Sequence, residues 1–142
     1  MSTDFDPISP ATLDADLLSV QLLDLDGTPN LVMDTDKGFD IKVRWQITGT
    51  MAPWLAGNWR VKAYVESIGA GFEGQVASAV VALDGRTTPY EVTLHVLPGT
   101  IPPPPGDDTV YKPVVLIAHE AFGHKSEMAG FGEGPYFEVR KP

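Results

Sequence analysis

The stretch "FDIKVRWQIT" (39–48) constrains the fold more than any other. Phe39, Ile41, Val43, Trp45 and Ile47 alternate without a break with Asp40, Lys42, Arg44, Gln46 and Thr48. A period of two over ten residues describes a strand with one buried face and one wet face. "NWRVKAYVES" repeats it, with Trp59, Val61, Ala63 and Val65 on one side and Arg60, Lys62, Tyr64 and Glu66 on the other. "YEVTLHVL" does so again through Tyr90, Val92, Leu94 and Val96.

Four further stretches read as strands without so clean an alternation. They are "LLSVQLLDL" (17–25), "QVASAVVALD" (75–84), "YKPVVLIAHE" (111–120) and "YFEVRK" (136–141), the last expected as a sheet edge blunted by Arg140, Lys141 and Pro142. Turn chemistry separates them, at Asp26-Gly27, Gly69 to Gly74, Pro102–Pro105 and "GFGEGP" (130–135). No helical period is present; "MAPWLAG" (51–57) offers one turn at most. The expectation is a single-domain, all-β, two-sheet antiparallel β-sandwich of about seven strands over residues 17–142, behind an acidic, partly flexible leader, 1–16.

In strand number, strand spacing and tryptophans near the middle of the sandwich, the chain resembles the immunoglobulin-like and fibronectin type III class. The resemblance implies two antiparallel sheets packed face to face. It implies little about role, because such sandwiches host many unrelated functions.

Composition narrows the chemistry. The chain has no cysteine, which removes disulfides, thiol catalysis and cysteine-ligated zinc. The N-terminus has neither a basic region nor an apolar run, and no stretch approaches the ~20 apolar residues of a membrane span, so a cytoplasmic protein is expected. The net charge of −9 is uneven: residues 1–40 hold nine Asp and one Lys. Such a balance argues against nucleic acid and anionic membrane as partners.

Three motifs carry candidate chemistry. "HEAFGH" (119–124) approaches the H-E-x-x-H pattern of zinc hydrolases, and a metal-dependent enzyme using His119 and His124 with Glu120, joined by His95 from a different strand, is one alternative. The spacing opposes it, since residues five apart diverge by about 140° on a helix and take opposite faces of a strand. Asp pairs recur at 4/6, 14/16, 24/26 and 34/36. A calcium- or carbohydrate-binding module is the other alternative, with Asp24, Asp26, Asp34 and Asp36 as the calcium set, although no EF-hand loop is present. The run "IPPPPG" is read as a stiff connection between sheets rather than a polyproline ligand.

Finally, "GTMAPWLAGNW" and the glycine-rich "GHKSEMAGFGEGP" (123–135) read as long loops offering apolar side chains. The reading they support is a non-catalytic interaction or assembly module, without cofactor. It would bind a protein partner or a second copy through end loops or a sheet edge, with Trp54, Leu55, Met128 and Phe131 as anchors.

Overall fold

The computed structural model describes residues 3–5, 14–34, 36–48, 56–69, 71–83, 89–102, 109–121 and 124–140. Among these residues the chain is all-β. Ten strands are present rather than about seven: β1 (Thr3–Phe5), β2 (Asp14–Leu23), β3 (Val32–Asp34), β4 (Phe39–Thr48), β5 (Asn58–Ile68), β6 (Gly74–Ala82), β7 (Tyr90–Val96), β8 (Val110–Ala121), β9 (His124–Glu133) and β10 (Phe137–Arg140). No helix among them is long and apolar enough to cross a membrane.

The strands form two sheets, the smaller in the order β2-β4-β7. In the larger, β8 pairs β5 along one side, and β5 in turn pairs β6. On its other side β8 pairs β9 and then β10. Outermost, β1 pairs β9 and β3 pairs β10. The core lies between the sheets, where Trp45 of β4 meets Trp59 of β5 edge-on at 6.3 Å and Phe39 of β4 meets Phe137 of β10 at 5.5 Å.

The alternation of β4 explains this placement. Phe39, Ile41, Val43, Trp45 and Ile47 are all buried, each contributing about 1.5–3 kcal/mol. Two strands whose alternation is broken owe it to bulges. In β2 the register shifts between Leu17 and Ser19, so that Leu17 and Val20 both reach the core while Leu18 faces out. In β6 the pairing skips Val76 between Gln75 and Ala77, which brings Val76 and Ala77 to the inner side together. One inserted residue reverses the phase of everything after it.

Three further expectations are corrected. The segment 123–135 is not a loop: His124–Glu133 is β9, paired antiparallel with β8. β10 is not an edge, because β3 adds to it; and that pair is parallel, so the sandwich is not purely antiparallel. Pro113 marks the handover from β9 to β10. It lacks an N–H to offer a neighbouring strand, and its carbonyl accepts instead from Gly134 N at 3.0 Å. Most of the short turn sought at 51–57 and most of the proline run lie outside the described residues.

Candidate functional site

The tryptophan-rich end of the sandwich contains His119. It continues the inward series Tyr111, Val115 and Ile117 along β8, directly opposite Trp59 of β5. Its ring lies edge-on to Trp59 at 5.5 Å. Nε2–H donates to the Ala56 carbonyl at 2.7 Å. Gly57 makes that approach possible: its φ is +107°, and a Cβ there would stand 2.1 Å from the Glu120 carbonyl oxygen.

Glu120 points the other way and receives Arg60 through two bonds, Nε to Oε1 at 3.0 Å and Nη2 to Oε2 at 3.3 Å. The carboxylate raises the Arg60 pKa, chiefly through that hydrogen bonding. His124 begins β9 and is exposed. The pattern that suggested zinc is therefore a hairpin whose two histidines occupy different environments. One is a core residue with its Nε2 proton committed, the other is solvated, and their glutamate is held by an arginine.

At the opposite end, the turn after β2 and the segment around β3 enclose a hollow of about 390 Å³. Asp24, Asp26, Asp34, Asn30, Lys37 and Gly38 are among its lining residues. The structure thus brings together three of the four Asp proposed for calcium, with Asp36 exposed beside them. Each of the three already has a donor: Asn30 Nδ2 on Asp24 at 3.0 Å, Thr28 N–H on Asp26 at 2.8 Å, and Lys37 Nζ by Asp34 at 3.3 Å. The Thr28 bonds hold the Asp26 carboxyl below its ordinary pKa. A lysine within the hollow opposes a second cation, and no group of three His, Cys, Asp or Glu among the described residues is arranged to hold a metal.

On the outer face of the smaller sheet, Asp40 of β4 accepts from Nδ1 of its cross-strand neighbour His95 at 2.7 Å. The alternation placed Asp40 on the wet face, yet it is only 9% exposed. The His95 ring remains largely exposed. His95 and His119 thus belong to different sheets and do not converge.

The third region is the outer face of the larger sheet. Leu116 of β8 and Phe131 of β9 stand directly opposite each other and are 41% and 36% exposed. Cross-strand partners share a face, so the register extends this band through Val114 beside Tyr64 and Ala118 beside Ala129. Lys62 flanks Leu116 from β5. Lys112 makes ion pairs with Glu66 and Glu133, and the bond to Glu133 raises its pKa most.

Of the four proposed anchors, Phe131 is on this face, on a strand rather than a loop. Met128 also falls within β9, and Trp54 and Leu55 lie outside the described residues. Leu116 was not among the anchors. Its signal was the unbroken run "VVLIA" in β8, which leaves apolar residues on the wet face as well as the buried one.

No protein-family model matches the chain, and no curated protein matches it. Among solved structures, a β-glucosidase from Listeria innocua in complex with glucose aligns at a TM-score of 0.49 and 14% identity, over 90% of this chain and 16% of that one. The same enzyme with gluconolactone aligns at 0.49 and 13% identity. The chain spans only that 16% of the enzyme's length.

Proposed function

We propose that this chain is a non-catalytic interaction module of the immunoglobulin-like or fibronectin type III-like kind. It docks a protein partner on the outer face of its larger sheet. The strand orders support the architectural half of this reading. β2-β4-β7 opposes β6-β5-β8-β9, as strands A, B and E oppose C′, C, F and G in such sandwiches.

The observation that carries the functional half is the exposed Leu116–Phe131 pair. It sits in the middle of a wide sheet, with Val114, Ala118 and Ala129 continuing the band. Contiguous apolar surface of this kind is costly to leave wet and marks binding faces on soluble domains. An aromatic ring held on a rigid strand makes an efficient anchor. The lysines and Arg60 at its margins supply a polar rim.

A photo-crosslinking residue at position 131, with the same residue at the exposed Leu97 as control, tests the reading. Position 131 is expected to capture a defined partner that Leu97 does not, and Leu116→Asp to abolish the capture without altering the fold. Equal capture at both positions, or capture indifferent to Leu116→Asp, would overturn it.

A further inference from the structure

Acids outnumber bases in this chain, 19 to 10, and almost every described cation has one beside it. Lys37, Lys42, Arg44, Arg60, Lys112 and Arg140 each stand within 3.5 Å of a carboxylate oxygen. Among the described side chains, Lys62 is the exception: it makes neither an ion pair nor a hydrogen bond.

Its place in the sheet explains why. Lys62 of β5 stands between Ser78 of β6 and Leu116 of β8. Along β5, Arg60 and Tyr64 share its face, and their partners on β8 are Ala118 and Val114. None of these neighbours is an acid. The carboxylates of the same face are engaged elsewhere, Glu120 by Arg60 and Glu66 and Glu133 by Lys112.

That position decides what can dock beside it. Opposed Cβ atoms across antiparallel strands lie about 4.5–5.5 Å apart, and Lys62 is already half-buried. A partner that covers Leu116 therefore also takes water from the Lys62 side chain. An ammonium dehydrated without an anion strongly opposes association. Arg60 and Lys112 impose no such demand, because their own acids accompany them.

We infer that the partner docking on this face presents a carboxylate, from Asp or Glu, which meets Lys62 while an adjacent apolar side chain packs on Leu116 and Phe131. The inference rests on docking at that face and adds the charge its occupant carries. A purely apolar segment would strand the lysine, and a basic one would add repulsion. A second copy is disfavoured, since two chains of net charge −9 repel and each brings its own unmatched lysine.

The probe is a display library of short random peptides, selected on the immobilised chain and then measured in solution. Selected peptides are expected to carry Asp or Glu next to an apolar residue, and to lose binding to Leu116→Asp. Lys62→Glu should weaken them by about tenfold or more, and exchanging the peptide's acid for Lys should restore binding to that variant. Added salt should weaken binding to the wild-type chain and have little effect on Lys62→Met, whose own selection should show no preference for acids.

Peptides that need Leu116 but carry no acid, or that bind Lys62→Glu as well as wild type, would overturn this inference and leave docking at the face intact. Peptides indifferent to Leu116→Asp, or a library that yields none, would overturn both. Self-association of the wild-type chain, abolished by Leu116→Asp, would overturn the choice of occupant. If Lys62→Glu failed to fold, Lys62→Met would still decide it, because equal enrichment of acids on that variant and on wild type would exclude the lysine.

Discussion

The two ends of this sandwich hold similar polar side chains under opposite conditions. At the tryptophan end, His119 is 4% exposed, wedged against Trp59 and bonded to a backbone carbonyl. At the acidic end, Asp24, Asp26, Asp34 and Lys37 face a hollow open to water, each with a local donor or counter-charge. A buried polar group stabilises only while its partner is present, and losing that partner costs its full desolvation. A solvated one exchanges protein for water at little net change. Motifs that look equally chemical in sequence therefore differ greatly in what their removal does.

The sharpest break of this comparison is at Trp59. It is fully buried and touches both Trp45 and His119. Trp59→Ala should cost about 3–5 kcal/mol, lowering Tm by roughly 10 °C or more. A calorimetric fall of only a degree or two would mean that the tryptophan end is not the centre of the core.

His119 and His124 divide the comparison more finely. His119→Phe keeps an aromatic edge against Trp59 but leaves the Ala56 carbonyl without its donor, at a cost of about 1–3 kcal/mol. His124→Ala, at an exposed strand end, should fall within about 0.5 kcal/mol of wild type. Thermal melts of the two variants, with and without Zn²⁺, check this. Equal effects, or a zinc-dependent rise lost in both, would restore the metal reading of "HEAFGH".

The same contrast separates what the sequence discloses from what it hides. β4, β5 and β7 are legible because one face of each packs on the core and the other meets water, so burial writes itself as alternation. β2 and β6 are blurred because a single bulged residue, Leu18 or Val76, reverses the phase midway. β9 is hidden for a different reason. Gly130 and Gly132 have low strand preference, and the strand exists because β8 offers a complete partner, Ile117 to Gly130 and Val115 to Gly132. No local pattern encodes that pairing, nor the parallel joining of β3 to β10, which are more than a hundred residues apart along the chain.

Site chemistry follows the same rule. The hollow at the acidic end gathers residues close in sequence, so the clustering of Asp24, Asp26 and Asp34 is legible. The engagement of their carboxylates by Asn30, Thr28 and Lys37 is not, because it depends on how the turn closes: Gly27 N–H donates to the Asp24 carbonyl at 2.9 Å, and Thr28 C=O accepts from Asp24 N–H at 2.8 Å. The Leu116–Phe131 band joins residues of two strands whose pairing had to be seen before they could be neighbours.

The acidic end should give the smallest effects, and these test the comparison from its quiet side. Asp24→Asn and Asp34→Asn remove exposed or half-exposed partners and should each change stability by less than about 1 kcal/mol. Millimolar Ca²⁺ should leave the melting curve unmoved. A true site at a hundred times its Kd would add about 2.7 kcal/mol, a shift of several degrees. Asp26 supplies the pH arm. Its folded pKa is depressed by the Thr28 N–H, so its stabilising contribution is present above the ordinary Asp pKa and is lost as pH falls through the depressed one. Asp26→Asn should therefore lower stability slightly near neutrality, leave it unchanged below the depressed pKa, and so flatten the curve on the acid side. A large loss at neutral pH would mean that this turn supports the fold as the tryptophan end does, and the distinction between the two ends would fail.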